Sequence, residues 1–186
     1  GLVVTVYAAW LFHDLPDATE LSDYRPATAT RVYAGDGTLI GEFSEERRIY
    51  VSYDQIPPVV IQAFLAAEDR NFFSHGGVDV SGLGRAMFKN VFNVVTGRRL
   101  EGGSTITQQY VKNAFFTQDR TLTRKAQEML LADWVETWAA KDTILSRYLE
   151  NCYFGGGQTG LTAAANHYFS KTPQELSLGE AAMLAG

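Results

Sequence analysis

The sequence predicts a mainly α domain with a small β-hairpin near its start, and three observations carry that prediction. Apolar residues recur at helical spacing through seven segments, at about 58–69, 79–95, 105–116, 121–140, 141–151, 160–168 and 177–185. Upstream, "TRVYAGDGTLIGEF" sets β-forming residues on both sides of Asp36-Gly37, a dipeptide that favours two-residue hairpin turns. The 186 residues are 46% hydrophobic and 20% charged, the balance of a folded chain long enough for one core. A net charge of −5 argues against a nucleic-acid partner, and the single Cys152 excludes an internal disulfide.

Taken in order, residues 1–13 open with "GLVVTVYAAWLF", too short to span a bilayer but suited to the outer end of a transmembrane anchor, with Tyr7, Trp10 and Phe12 at headgroup level. A signal-peptide remnant or a buried helix is the alternative. Residues 14–27 are polar and turn-rich and read as a linker to a domain over 28–186. "RRIYVSY" offers a further extended segment. Pro58 then suits a helix's first turn, where a missing N–H costs nothing. The last segment, "LSLGEAAMLAG", stops inside an apolar helix, so the domain is expected to continue past Gly186. No internal repeat or low-complexity tract interrupts this order.

Two carboxylates stand out. On the helix from Pro58, Ile61, Phe64, Leu65 and Glu68 follow i, i+3, i+4, i+7 spacing, which puts Glu68 on the apolar face and Asp69 about 100° away. An apolar setting tunes a carboxylate toward general acid or base work near neutral pH. The alternative is a helix-end residue paired with Arg70. His75 alone reads as a structural hydrogen-bonder, and Gly76 and Gly77 as a tight turn. Glu128 stands four residues after Arg124 and three after Lys125, within reach of both. Because the residues that follow are largely apolar, this triplet is expected at the mouth of a central helix, facing a cleft, rather than forming surface ion pairs.

Between the carboxylates, Gly102, Gly103, Ser104 and Thr105 precede a helix start, with Thr105 and Gln108 at capping-box spacing. Free N–H groups there suit an anion, and Lys112 and Arg120 add positive charge that fits a diphosphate. The stretch "SGLGRAMFKNVFNVVTGRRL" carries Leu83, Met87, Val91, Val94 and Val95 at helical spacing, with Phe88, Phe92, Arg85, Lys89, Arg98 and Arg99 alongside. It reads equally as a core helix with a solvated side or as a helix lying in a membrane interface beside anionic lipid.

Together "EDRNFFSHGGVD", "GGSTITQQYVKN", "RKAQE", "KDTILSRYLENCYFG" and "AAANHYFSKTPQELSLGEAAMLAG" stand in an order that resembles the peptidoglycan glycosyltransferases, the lipid II polymerases of class A penicillin-binding proteins and their monofunctional relatives. The resemblance covers nearly all of 28–186. It implies a lysozyme-like helical fold whose hydrophobic subdomain dips into the outer leaflet of the bacterial cytoplasmic membrane. It also implies polymerisation of lipid II into β-1,4-linked strands, with inversion at the donor sugar and release of undecaprenyl diphosphate. By matching motifs, Glu68 is the general base and Glu128 the second essential carboxylate, while Ser104, Gln109, Lys112, Arg120, Arg124 and Lys125 line the diphosphate and donor region. Asp69, Phe72, His75, Gly103, Thr105, Gln108 and Asn113 complete the expected substrate-binding set. The resemblance further implies Mg2+ or Mn2+ in some members, no organic cofactor, and as partners lipid II, the growing glycan strand, the membrane, a following transpeptidase domain and cell-wall synthesis proteins.

Diphosphate leaves as a stable anion, so the site needs positive charge rather than a strong acid; Glu128 is then an orienter of Arg124, Lys125 or a metal. Ser146, Glu150 and Ser170 depart from the family's usual Glu, Asn and Gly, and the segment before Gly102 is longer. These departures bear on packing and processivity, Glu150 most of all because it adds a negative charge. Two rivals stand beside the polymerase: a lysozyme-like hydrolase or lytic transglycosylase, and a non-catalytic lipid II-binding scaffold.

Overall fold

A computed structural model of the chain describes residues 30–33, 39–43, 51–97, 102–116 and 121–186. The expected anchor at 1–13, the linker at 14–27, the Asp36-Gly37 turn, the "RRIY" stretch, Arg98, Arg99 and Arg120 lie outside the described residues, as do the side chains of Met87, Val91 and Val95. The described chain is mainly helical. Strands β1 (Thr30–Tyr33) and β2 (Leu39–Phe43) pair antiparallel, with Thr30 opposite Phe43 and a register shift between Val32 and Tyr33. Helices follow as α1 (Pro58–Glu68), α2 (Val80–Thr96), α3 (Ile106–Phe115), α4 (Leu122–Val135), α5 (Lys141–Asn151), α6 (Leu161–Phe169) and α7 (Leu178–Ala185).

Local chemistry sets most helix starts. Asp79, Thr105, Thr121 and Ser177 each accept a backbone N–H of the first turn, which satisfies one of the donors a helix start leaves orphaned. Pro58 occupies the first turn of α1 as expected. At Ser177 the reciprocal capping box closes through Glu180, whereas at Thr105 it does not: Thr105 takes the Gln108 N–H, but the Gln108 side chain turns to Lys125.

Helix α3 runs through the centre and packs on both α4 and α5, while α1 packs on α7. Ile106, Tyr110 and Val111 of α3 meet Leu131, Ala132 and Val135 of α4 and Ile144, Leu145 and Leu149 of α5 in one buried cluster. Each such large side chain removed from water contributes roughly 1.5–3 kcal/mol. Helix α4 stops at Val135 rather than reaching 140: the N–H groups of residues 136 to 139 fold back onto Ala132, Trp134 and Val135 carbonyls in tight turns. The reversal brings Lys141 to Glu136 (2.8 Å) and lets α5 return along α3.

Gly77 is small for a different reason from the turn the sequence suggested. A Cβ there would lie 2.3 Å from the backbone of Ala132 and Asp133, so the loop packs directly on α4, which only glycine permits. Helix α2 buries Ala86 but leaves Val80, Phe88, Phe92 and Val94 outside, with Phe88 82% exposed and Phe92 60%.

Candidate active site

Helix α1 ends at Glu68, and this reverses the expected burial of the two neighbouring carboxylates. Val60, Ile61 and Phe64 are buried, but Glu68 is exposed; Asp69, with φ −158° and ψ 82°, has left the helix and turns inward. The helical phase that placed Asp69 100° away no longer applies once the helix has stopped. Asp69 is 9% exposed, and its Oδ2 accepts the Ile106 N–H at 3.1 Å while Oδ1 meets His75 Nε2 at 2.8 Å. His75 Nδ1 lies 2.5 Å from the Gly76 carbonyl. Both ring nitrogens thus face oxygen atoms, and His75 bridges Asp69 to the Gly76 carbonyl.

This arrangement fills the start of α3. Asp69 takes the Ile106 N–H and Thr105 the Gln108 N–H, so the chain's own carboxylate occupies the place the sequence suggested for a bound anion. Positive charge for a ligand comes from side chains instead. Lys125 Nζ donates to Ser104 Oγ (2.8 Å), Gln108 Oε1 (3.4 Å) and Glu128 Oε2 (3.1 Å). Arg124 Nε lies 2.9 Å from Glu128 Oε1, an ion pair whose angle is unsuited to a linear hydrogen bond. Glu128 itself is 1% exposed. The triplet faces a cleft, as the spacing predicted, and the burial of its carboxylate is compensated by two cations.

Three clefts meet at Glu68. One of about 360 Å³ is lined by Ser104, Gln108, Gln109, Lys112, Lys125 and Glu128. A second, about 650 Å³, runs past Asp69, Gly103, Ser104 and Thr105 toward Arg70, Arg85 and Lys89. The third, about 630 Å³, is bounded by Lys112, Asn113, Tyr148, Cys152 and the aromatic rings of Phe154 and Tyr168. Glu68 borders all three, and its Oε2 accepts from Gln109 Nε2 at 2.7 Å.

The structure therefore brings together Glu68, Ser104, Gln109, Lys112, Lys125 and Glu128, and sets Asp69, Gly103, Thr105, Gln108, Asn113 and Arg124 around them. It does not bring Phe72 or His75 to the lining of any of these three clefts. Phe72 is fully buried beneath Lys141, whose Nζ stands 4.3 Å from the ring centroid, and His75 serves Asp69. Among the described residues no three of His, Cys, Asp and Glu converge to hold a metal ion, and Glu128 is committed to its two cations.

The departures at 146 and 150 also have a structural account. Ser146 Oγ donates to the Val51 carbonyl at 2.7 Å, and the Val51 N–H donates to Glu150 Oε1. Glu150 and Ser146 between them clamp both backbone polar groups of buried Val51 to α5. Ser170 adopts the left-handed region at φ 54° at the end of α6, where the usual glycine would sit without strain. Tyr148 went unrecognised from sequence. Burial, with the nearby Cys152 and the charge of Glu68 adding to it, raises its pKa; its spacing of four from Cys152 on α5 was the available signal.

A family profile described as Transglycosylase matches residues 36–186. The chain is 43% identical over 186 residues to a penicillin-binding protein 1A of Rickettsia prowazekii, covering all of this chain and 24% of that protein. A protein of the same name from Aquifex aeolicus is 44% identical over 191 residues, covering all of this chain and 26% of its own length. Another from Escherichia coli is 44% identical over 172 residues, covering 92% of this chain and 20% of the relative. The chain thus spans about a quarter of the length of the curated relatives it matches.

Proposed function

The chain belongs to the transglycosylase family, and on that premise we propose that it is a peptidoglycan glycosyltransferase with a lysozyme-like fold, polymerising lipid II into β-1,4-linked glycan. One observation carries this reading: the Glu68 carboxylate stands at the junction of three clefts, bordering the one that holds Lys112, Lys125 and Glu128.

Chemically, Glu68 takes the proton of the acceptor 4-hydroxyl as that oxygen attacks the anomeric carbon of the donor. The bond from that carbon to diphosphate breaks on the opposite face, so the new link is inverted. Negative charge develops on the departing undecaprenyl diphosphate, and Lys112, Lys125 and Ser104 are the groups to meet it. Arg120, expected in the same region, extends that role. Glu128 holds Lys125 and Arg124 in place. A divalent ion, where the reaction used one, would supply further positive charge to the diphosphate beside Lys112 and Lys125.

The hydrolase rival is less well supported. A glycosidase needs a second carboxylic acid to protonate its leaving group. Glu128 meets a lysine and an arginine at ion-pair distance, which suits charge neutralisation. The membrane placement draws on α2, whose exposed Val80, Phe88, Phe92 and Val94 accompany Arg85 and Lys89, the composition of a helix seated at a lipid surface. No described helix is long and apolar enough to cross a membrane. The proposed location is the outer face of the cytoplasmic membrane, with a transpeptidase domain among the partners.

Incubation of the detergent-solubilised protein with lipid II and, separately, with purified glycan strands tests the reading. Chain growth with release of undecaprenyl diphosphate is expected from lipid II. Cleavage of strands without growth would establish the hydrolase instead, and binding of lipid II without turnover would establish the scaffold.

A further inference from the structure

We propose that Tyr148 is a positioning residue for Glu68, acting through the Gln109 carboxamide, an inference that rests on the polymerase reading above. A carboxylate only accepts hydrogen bonds, so Gln109 must turn its NH2 to Glu68 Oε2, where the contact is 2.7 Å. That choice leaves the Gln109 carbonyl facing α5, where it needs a donor. Tyr148 provides it: the hydroxyl lies 3.4 Å from Gln109 Oε1, on a ring that is 3% exposed. Just past the end of α5 the Cys152 thiol lies beside Tyr148, and burial pushes that thiol up to about 12, so it carries no charge there. Burial likewise keeps the Tyr148 hydroxyl protonated.

The donors run one way, from Tyr148 through Gln109 to Glu68. Its end holds Oε2, while Oε1 makes no hydrogen bond to a described residue and is left for the acceptor hydroxyl. Without the tyrosine hydroxyl the amide is held at its NH2 end alone, by Glu68 itself. The Gln109 amide can then swing about that single contact and carry the Glu68 carboxylate off its line.

Tyr148→Phe keeps the buried ring and removes only the donor. In lipid II polymerisation by the full-length protein in detergent, kcat is expected to fall by about 5- to 30-fold with KM changed by less than about two-fold. In a Gln109→Met background the same substitution should cost less than about two-fold further, because the relay is already broken. Gln109→Met, at a half-buried position, should by itself lower kcat at least as much as Tyr148→Phe. A Tyr148→Phe enzyme with wild-type kcat, a loss confined to KM, a full multiplicative loss in the double variant, or a Gln109→Met effect milder than that of Tyr148→Phe would each overturn the relay. Wild-type protein inert toward lipid II refutes the polymerase reading itself; an active wild type with any of those outcomes refutes the positioning role alone.

Discussion

Asp69 is the joint between the loop after α1 and the start of α3, and replacing it by asparagine or alanine separates its charge from its shape. Asparagine keeps the geometry: the amide oxygen accepts from Ile106 N–H, and its NH2 donates to His75 Nε2 while Nδ1 keeps its proton toward the Gly76 carbonyl. What it loses is the negative charge on the first turn of a central helix, about 1–2 kcal/mol. Alanine loses that and also leaves the Ile106 N–H, on a fully buried residue, without its acceptor, a further cost of about 1–3 kcal/mol. For a chain of this size each kcal/mol lowers Tm by roughly 2–4 °C. Asp69→Asn should therefore melt about 2–8 °C below wild type, and Asp69→Ala about twice as far below. Thermal unfolding followed by circular dichroism reads both. An alanine variant melting within about 2 °C of wild type, or an asparagine variant no better than alanine, would refute the joint.

Further outcomes follow from other contacts. Lys125→Met removes the donor to Ser104, Gln108 and Glu128; with Lys125 39% exposed, the stability cost is about 1–2 kcal/mol, while kcat for lipid II should fall roughly 10²-fold or more as a charge opposite the diphosphate is lost. Equal effects on folding and on turnover would contradict that split. Ser170→Gly relieves a left-handed backbone at φ 54° and should raise stability by about 1 kcal/mol, seen as a higher urea midpoint at unchanged slope. The bond from Lys171, aided by Ser177, holds the Glu180 carboxyl down to about 2 from the ordinary 4.5. A depressed folded-state value gives stability that is complete above 4.5 and fades as pH falls toward 2, so Glu180→Gln should flatten the urea midpoint's decline across that window.

Helix positions were largely legible because their signals are local. Thr105, Thr121 and Ser177 announce helix starts, and the Glu128 triplet lies within one helix, so spacing alone set its geometry. Where the reading failed, the deciding contact came from far along the chain or the local rule had ended. Asp69 looked turned away from the core because helical phase was extended one residue past the last helical position. The start of α3 looked open to an anion because its occupant sits 37 residues upstream. Gly77 looked like a turn because the α4 backbone against it lies more than fifty residues on. The Tyr148–Gln109–Glu68 series spans separations of 39 and 41 residues, which no periodicity reports.

The account depends most on Glu68 as the base, and its exposure makes the test clean: an exposed carboxylate can be replaced without disturbing the core. Lipid II polymerisation by Glu68→Gln, alongside a melting curve, is the direct measurement. Turnover is expected to fall about 10²- to 10⁴-fold with Tm unchanged. Chain growth near the wild-type rate by a fully folded variant would remove Glu68 from the chemistry.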